Sequence, residues 1–180
     1  FLLDAMALIY RAYFALSKMP RVNSKGMNTS AVLGFTNTLL EVLEKERPTH
    51  IAVAFDTAAP TARHTEFAEY KAHRESIPED LAASIPYVLA MIDGFGIPTV
   101  VSEGYEADDI IGTLARMAEA RGFVTYMMTP DKDFGQLVNG CTLIYRPGRG
   151  GGKAEVLGVP EILQRFGIRR PEQVADVLGL

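Results

Sequence analysis

The chain has 180 residues, with 18 Lys and Arg against 22 Asp and Glu, 48% hydrophobic and 22% charged residues, and a formal net charge of −4. That is the composition of a soluble globular domain with one well-buried core, and no apolar run approaches the ~20 residues that span a bilayer. A single cysteine, Cys141, excludes an internal disulfide or a cysteine-based zinc site and fits a reducing cytosol.

The start, "FLLDAMALIY", lacks the basic leader of a signal peptide and is interrupted by Asp4, so it reads as a core strand running into a helix. Buried strands are predicted at 1–3, 50–55, 98–102 and 123–128, with a weaker fifth at 142–146. Periodic segments at 5–18, 30–46, 79–95, 107–121 and 133–138 are predicted helices. Thr29 or Ser30 is expected to N-cap the second and Pro48 to stop it; Pro86 predicts a kink or division in the third, and Gly122 ends the fourth. Continuous apolar strands alternating with helices imply an α/β fold, a mainly parallel sheet with helices on both faces.

Two stretches break the rhythm: a polar segment at 57–77 and a Gly-rich loop at 146–154. The tail reads as two short helices around "GIRRP". With no initiator Met and no capping signal at the end, the sequence is expected to be a piece of a longer chain.

In an open parallel sheet the functional crevice lies beyond the C-terminal ends of the strands. Asp4 follows "FLL", Asp56 follows "IAVAF", Glu106 comes shortly after "TVVS" with Asp108 and Asp109 behind it, and Asp131 and Asp133 follow "VTYMMTP". Two carboxylates ~4 Å apart repel by ~4 kcal/mol at an effective dielectric near 20. A concave cluster of this size therefore calls for protons or a cation. All-oxygen donors favour Mg²⁺ or Mn²⁺.

Each acid also has a plainer reading. Acids at a helix start complement the macrodipole by ~0.3–1 kcal/mol, Asp4 and Asp56 can each cap a segment, and "DKD" occurs in ordinary turns. The shared address of all seven favours the cluster. By helical spacing Glu106 and Asp109 share a face while Asp108 points elsewhere. The net charge does not exclude an acidic partner either, because setting these seven acids aside leaves a balance of +3.

"FLLDAMALIYRAYFAL", "AVAFD", "EYKAHR", "GYEADDIIGTLA" and "TPDKDFGQLV", in this order, resemble the 5′-nuclease domain of bacterial DNA polymerase I, of the flap endonuclease superfamily with its PIN-like core. The resemblance covers nearly the whole chain. It implies a three-layer PIN-like, Rossmann-like fold with a helical arch inserted at about 57–77. It also implies metal-dependent hydrolysis of DNA phosphodiesters at 5′ ends and flaps, in replication and repair. Carried over, the ligands of two divalent ions, Mg²⁺ or Mn²⁺, fall on Asp4, Asp56, Glu106, Asp108, Asp109, Asp131 and Asp133. Arg11, Arg63, Lys71 and Arg74 would hold phosphates, with Lys71 and Arg74 also catalytic, and Tyr70 would stack on a base.

The implied partners are branched or 5′-flap DNA and a polymerase domain in the same polypeptide, with no membrane, a monomeric state and a place at the bacterial nucleoid. Pro130 stands where the family usually has Gly. The family's "GD…DN" segment and helix–hairpin–helix lie beyond Leu180, so the fragment alone is expected to bind metal and DNA less well. A haloacid-dehalogenase phosphatase would need an Asp where Met6 stands, and a Toprim-like domain leaves Asp4 and Asp56 unexplained. A non-catalytic DNA-binding scaffold on the same fold is the other alternative. The glycines at 148–152 do not form a P-loop, since Ala follows Lys153.

Overall fold

A computed structural model describes residues 1–56, 76–148 and 152–179. Nearly all of the expected arch lies outside the described residues, and with it Arg63, Tyr70, Lys71 and Arg74. The described elements are β1 (Leu2–Asp4), α1 (Ala5–Ala15), α2 (Ser30–Glu41), β2 (Ala52–Ala54), α3 (Glu79–Gly94), β3 (Thr99–Val100), α4 (Ala107–Glu119), β4 (Thr125–Met128), β5 (Thr142–Arg146), β6 (Glu155–Leu157), α5 (Val159–Phe166) and α6 (Val174–Leu178). A 3-10 turn, Asp133–Leu137, follows β4.

One sheet holds the strands in the order β3-β2-β1-β4-β5-β6. Every pair is parallel except β5 with β6. The expected α/β fold is what forms, with the strands shorter than the apolar runs that announced them. The antiparallel β6, three residues long and directly after the Gly-rich loop, carries too brief a pattern to be read from sequence.

The pleat sorts the strand residues onto two cores. Leu3, Val53, Met128 and Tyr145 pack with α1, α2 and α3 through Leu8, Phe35 and Val88. Their neighbours Ala54, Met127 and Ile144 face the other way, packing with α4 through Ile111 and with Ile162 and Val174 of α5 and α6. The registers Leu3↔Val53 and Leu3↔Met128 keep each row on one side of the sheet.

Three local expectations change. Thr29 occupies the cap of α2 without a side-chain cap bond. Instead Asn28 Oδ1 accepts from Ser30 N at 3.0 Å, and Ser30 Oγ accepts from Arg21 N at 2.9 Å. The segment after α2 widens into a π turn, Val42–Glu46, and ends at Arg47 with φ 47°, one residue before Pro48. Pro86 neither divides nor ends α3, which runs unbroken from Glu79 to Gly94. Its ring stands on the exposed face, and its buried neighbours Ser84 and Val88 hold the helix to the core.

The α1–α2 contact depends on Gly34. A Cβ there would sit 2.7 Å from Ala12 Cβ, well inside van der Waals contact. Gly34→Ala is expected to lower the unfolding free energy by about 1–3 kcal/mol through overpacking, read by urea denaturation. A gain of about 1 kcal/mol, the ordinary helix benefit of Ala over Gly, would contradict the close contact.

Candidate functional site

The side-chain parity that builds the cores also places the acids. Asp4 lies in register with Ala54, on the α4 side of the sheet. Asp56 is two residues beyond Ala54, and Thr129 two beyond Met127, both in the same alternation. β1, β2, β3 and β4 are adjacent and parallel, so the segments leaving them emerge at one edge. There α4 begins, carrying Glu106 at its N-cap and Asp108 in its first turn.

Asp4, Asp56, Glu106 and Asp131 are each pinned by a local hydrogen bond. Asp4 is only 5% exposed; its Oδ1 accepts from Ala7 N at 3.1 Å, capping α1, and its Oδ2 accepts from Thr129 Oγ1 at 3.0 Å. Asp56 Oδ1 accepts from Ala107 N at 2.8 Å, which ties the end of β2 to the start of α4. Asp131 takes its place through its own N–H, which donates to Thr129 Oγ1 at 3.1 Å, and its Oδ1 accepts from Asp133 N at 2.9 Å. Glu106, 4% exposed, is bound at its backbone N–H by Asp109 Oδ2 at 3.2 Å in a capping box.

Helical spacing put Glu106 and Asp109 on one face and Asp108 on another, with all three offered as ligands; in the structure the two faces do different work. Burial, and then the charges of Asp4, Asp131, Asp56 and Glu106, push the Asp108 carboxyl up to about 7. Asp109 instead closes the capping box with Glu106. Asp4 is raised chiefly by burial and partly by Asp56 and Asp131, against the pull of its two hydrogen bonds. Asp133 is raised by its desolvation and by Asp131. Five acids, Asp4, Asp56, Glu106, Asp108 and Asp131, thus share one electrostatic field, with Asp133 at its margin.

The donor set is all oxygen, and the influences on Asp4 and Asp108 among the described residues are burial, hydrogen bonds to Asp4 and the neighbouring carboxylates. Such a set fits a hard divalent ion. The fit is chemical rather than geometric, because among the described residues no three His, Cys, Asp or Glu side chains stand close enough together to hold a metal ion in this arrangement. Repulsion favours such a spread: Asp4, Asp56, Asp109 and Asp131 each accept a bond from a local donor, while drawing two acids to ~4 Å costs about 4 kcal/mol at an effective dielectric near 20.

Thr129, fully buried between Asp4 and Asp131, was missed from sequence. The "TPD" that carries it reads only as a turn. Arg11, read as a phosphate contact, donates from Nη2 to the carbonyls of Pro147 and Gly148 at 2.8 and 3.2 Å.

Because the folded protein holds protons on Asp108, Asp4 and Asp133 that the unfolded chain gives up at ordinary carboxylate values, the folded state binds more protons. Stability then falls as pH rises through the window from about 4 to about 7. Melting in chelating buffer is expected to show this decline, and Asp108→Asn to flatten it. A wild-type stability that rises steadily across that window would contradict the buried cluster.

The family described as "5′-3′ exonuclease, N-terminal resolvase-like domain" matches residues 1–167. The chain is 40% identical over 179 residues to the DNA polymerase I of Bacillus subtilis (strain 168), covering 99% of this chain and 20% of that protein. It is 36% identical over 180 residues to the 5′-3′ exonuclease of Aquifex aeolicus (strain VF5), covering 100% of this chain and 60% of that one. The chain thus spans about a fifth of the polymerase and three fifths of the exonuclease. Its fold matches the bacteriophage T5 D15 flap endonuclease, solved in a pseudo-enzyme–product complex with DNA and metal ions, with a TM-score of 0.67 and 14% identity over 96% of this chain and 62% of that one. With 167 of its residues matched by that family's model, the chain belongs to the 5′-3′ exonuclease N-terminal resolvase-like domains.

Proposed function

We propose that the chain is the N-terminal part of a DNA polymerase I and acts as a metal-dependent 5′ nuclease on 5′ ends and flaps of branched DNA. The carrying observation is the shared charge field of Asp4, Asp56, Glu106, Asp108 and Asp131 where four adjacent parallel strands end. The family match and the DNA- and metal-containing T5 complex support the same reading. We place the protein at the bacterial nucleoid as a monomer. No helix among the described residues is long and apolar enough to cross a membrane.

In this reading Asp4, Asp56, Glu106, Asp108, Asp109, Asp131 and Asp133 hold two divalent ions, Mg²⁺ or Mn²⁺. Ions bound there supply charge neutralisation at the phosphate and acidify water. The chain's own part is to hold the acids in position. Thr129 fixes Asp4 and the Asp131 backbone, and the cap from Asp56 to Ala107 sets the front of α4 against β2. Asp109, whose side chain serves the capping box, contributes by orienting Glu106. Lys71 and Arg74, outside the described residues, are assigned the scissile phosphate on sequence alone, with Arg63 and Tyr70 along the entering strand.

Cleavage of a labelled 5′-flap DNA in Mg²⁺ or Mn²⁺, by this chain and by the longer protein that continues it, tests the reading. The longer protein is expected to be faster by orders of magnitude, and Asp56→Ala in it to lose cleavage while keeping its melting temperature within a few degrees. Wild-type turnover by a folded Asp56→Ala variant would sink the metal-site assignment. Lys71→Ala is expected to weaken substrate binding by about 1–3 kcal/mol, the scale of a charge-assisted hydrogen bond. Unchanged binding and turnover would remove its role.

A further inference from the structure

A cleft of about 1140 Å³ opens between α1, α2 and the β5–β6 hairpin, with Arg11, Asn37, Thr38, Pro130, Arg146 and Lys153 on its walls. Arg146 is the last residue of β5, which lies beside β4 in the sheet. It therefore reaches the same edge as the acids, on the flank nearest Asp131.

The Arg146 guanidinium is mostly buried and poorly matched. Its side chain is 19% exposed, and Nη1 lies 3.8 Å from Glu155 Oε2, on a side chain that is 57% exposed. Nη2 donates to the Pro130 carbonyl at 3.5 Å. Nε is buried and has no hydrogen-bond partner among the described residues. Charge-assisted N–H···O bonds run ~2.7–2.9 Å, so neither contact neutralises the cation well. Burial and the nearby Arg165 both work against its charge, with Glu155 and Asp131 on the other side. Arg11 holds the opposite wall through the carbonyls of Pro147 and Gly148, the two residues that follow Arg146.

A planar cation whose Nη1 and Nη2 make only long contacts, on the lining of an open cleft that Lys153 also lines, suits a tetrahedral oxyanion better than a rim carboxylate. Resting on the nuclease reading above, we propose that Arg146, with Lys153, binds a backbone phosphate of the DNA strand as it passes the carboxylate edge, one displaced from the phosphate being cut. Glu155 is the stand-in partner that this phosphate displaces. The cleft thus extends the substrate path from Asp131 past Pro130 and along α1.

The test is anisotropy of a fluorescein-labelled 5′-flap DNA in divalent-free buffer over a range of NaCl concentrations, with wild type, Arg146→Gln, Arg146→Lys and Glu155→Gln. Arg146→Gln is expected to weaken binding roughly tenfold and to reduce the slope of log affinity against log salt by about 1. Arg146→Lys should keep the slope, and Glu155→Gln should tighten binding without a change in melting temperature. A wild-type slope in Arg146→Gln, or no effect of Glu155→Gln, would overturn the proposal. So would a site for small ions alone, in which inorganic phosphate raises the melting temperature of wild type but not of Arg146→Gln while DNA affinity stays equal. Wild type that binds the flap but never cuts it, even in the longer protein, would overturn the nuclease reading and leave this one standing.

Discussion

Like-charge repulsion at the end of a parallel sheet is the constraint on which the site depends. Parallel pairing of β3, β2, β1 and β4 sends all four chain exits to one edge. The pleat then puts Asp4 and Asp56 on the face covered by α4. The fold thus gathers charges that oppose one another, and it meets the penalty locally, with Thr129, Ala7 N and Ala107 N each satisfying a carboxylate oxygen. Those same bonds hold the acids slightly apart. The raised proton affinity of Asp108 records its burial first and the repulsion of its neighbouring carboxylates second.

Stability and chemistry are coupled through this arrangement. Asp4 caps α1 and Asp56 anchors the front of α4, so both serve the fold while they serve the site. A helix start favours acids through its dipole and exposed N–H groups, which lets a carboxylate cluster sit at the N-termini of α1 and α4 at less expense than anywhere else in the molecule. The plain capping reading of these acids and the metal-binding reading are therefore two sides of one design.

Much of this could be read from the chain itself. An apolar run with an acid at or shortly after its end gives a strand, its exit and its carboxylate together, which is why the sequence alone puts Asp4, Asp56, Glu106 and Asp131 at one edge. The roles of Asp108 and Asp109 could not be ordered that way. Helical spacing relates Glu106 to Asp109 correctly, but not that this face is spent on a capping box while the carboxyl of Asp108 enters the field of Asp4 and Asp131. Thr129 is silent in sequence because its two partners, Asp4 and the Asp131 backbone, meet it only in the sheet. Arg146 is silent for a similar reason: its surroundings come from α1, α2 and a three-residue antiparallel strand. The roles given to residues in 57–75 rest on sequence pattern alone.

The central claim is that the acid edge is a cation site assembled by the sheet. Its most direct test is Mn²⁺ binding followed by electron paramagnetic resonance on wild type, Asp4→Asn, Asp108→Asn and the surface control Asp93→Asn. The account predicts bound Mn²⁺ in wild type and Asp93→Asn, with affinity at least tenfold weaker in each of the two cluster variants, a difference of about 1.4 kcal/mol or more. Equal Mn²⁺ affinity in all four proteins, or no binding by wild type, would contradict it.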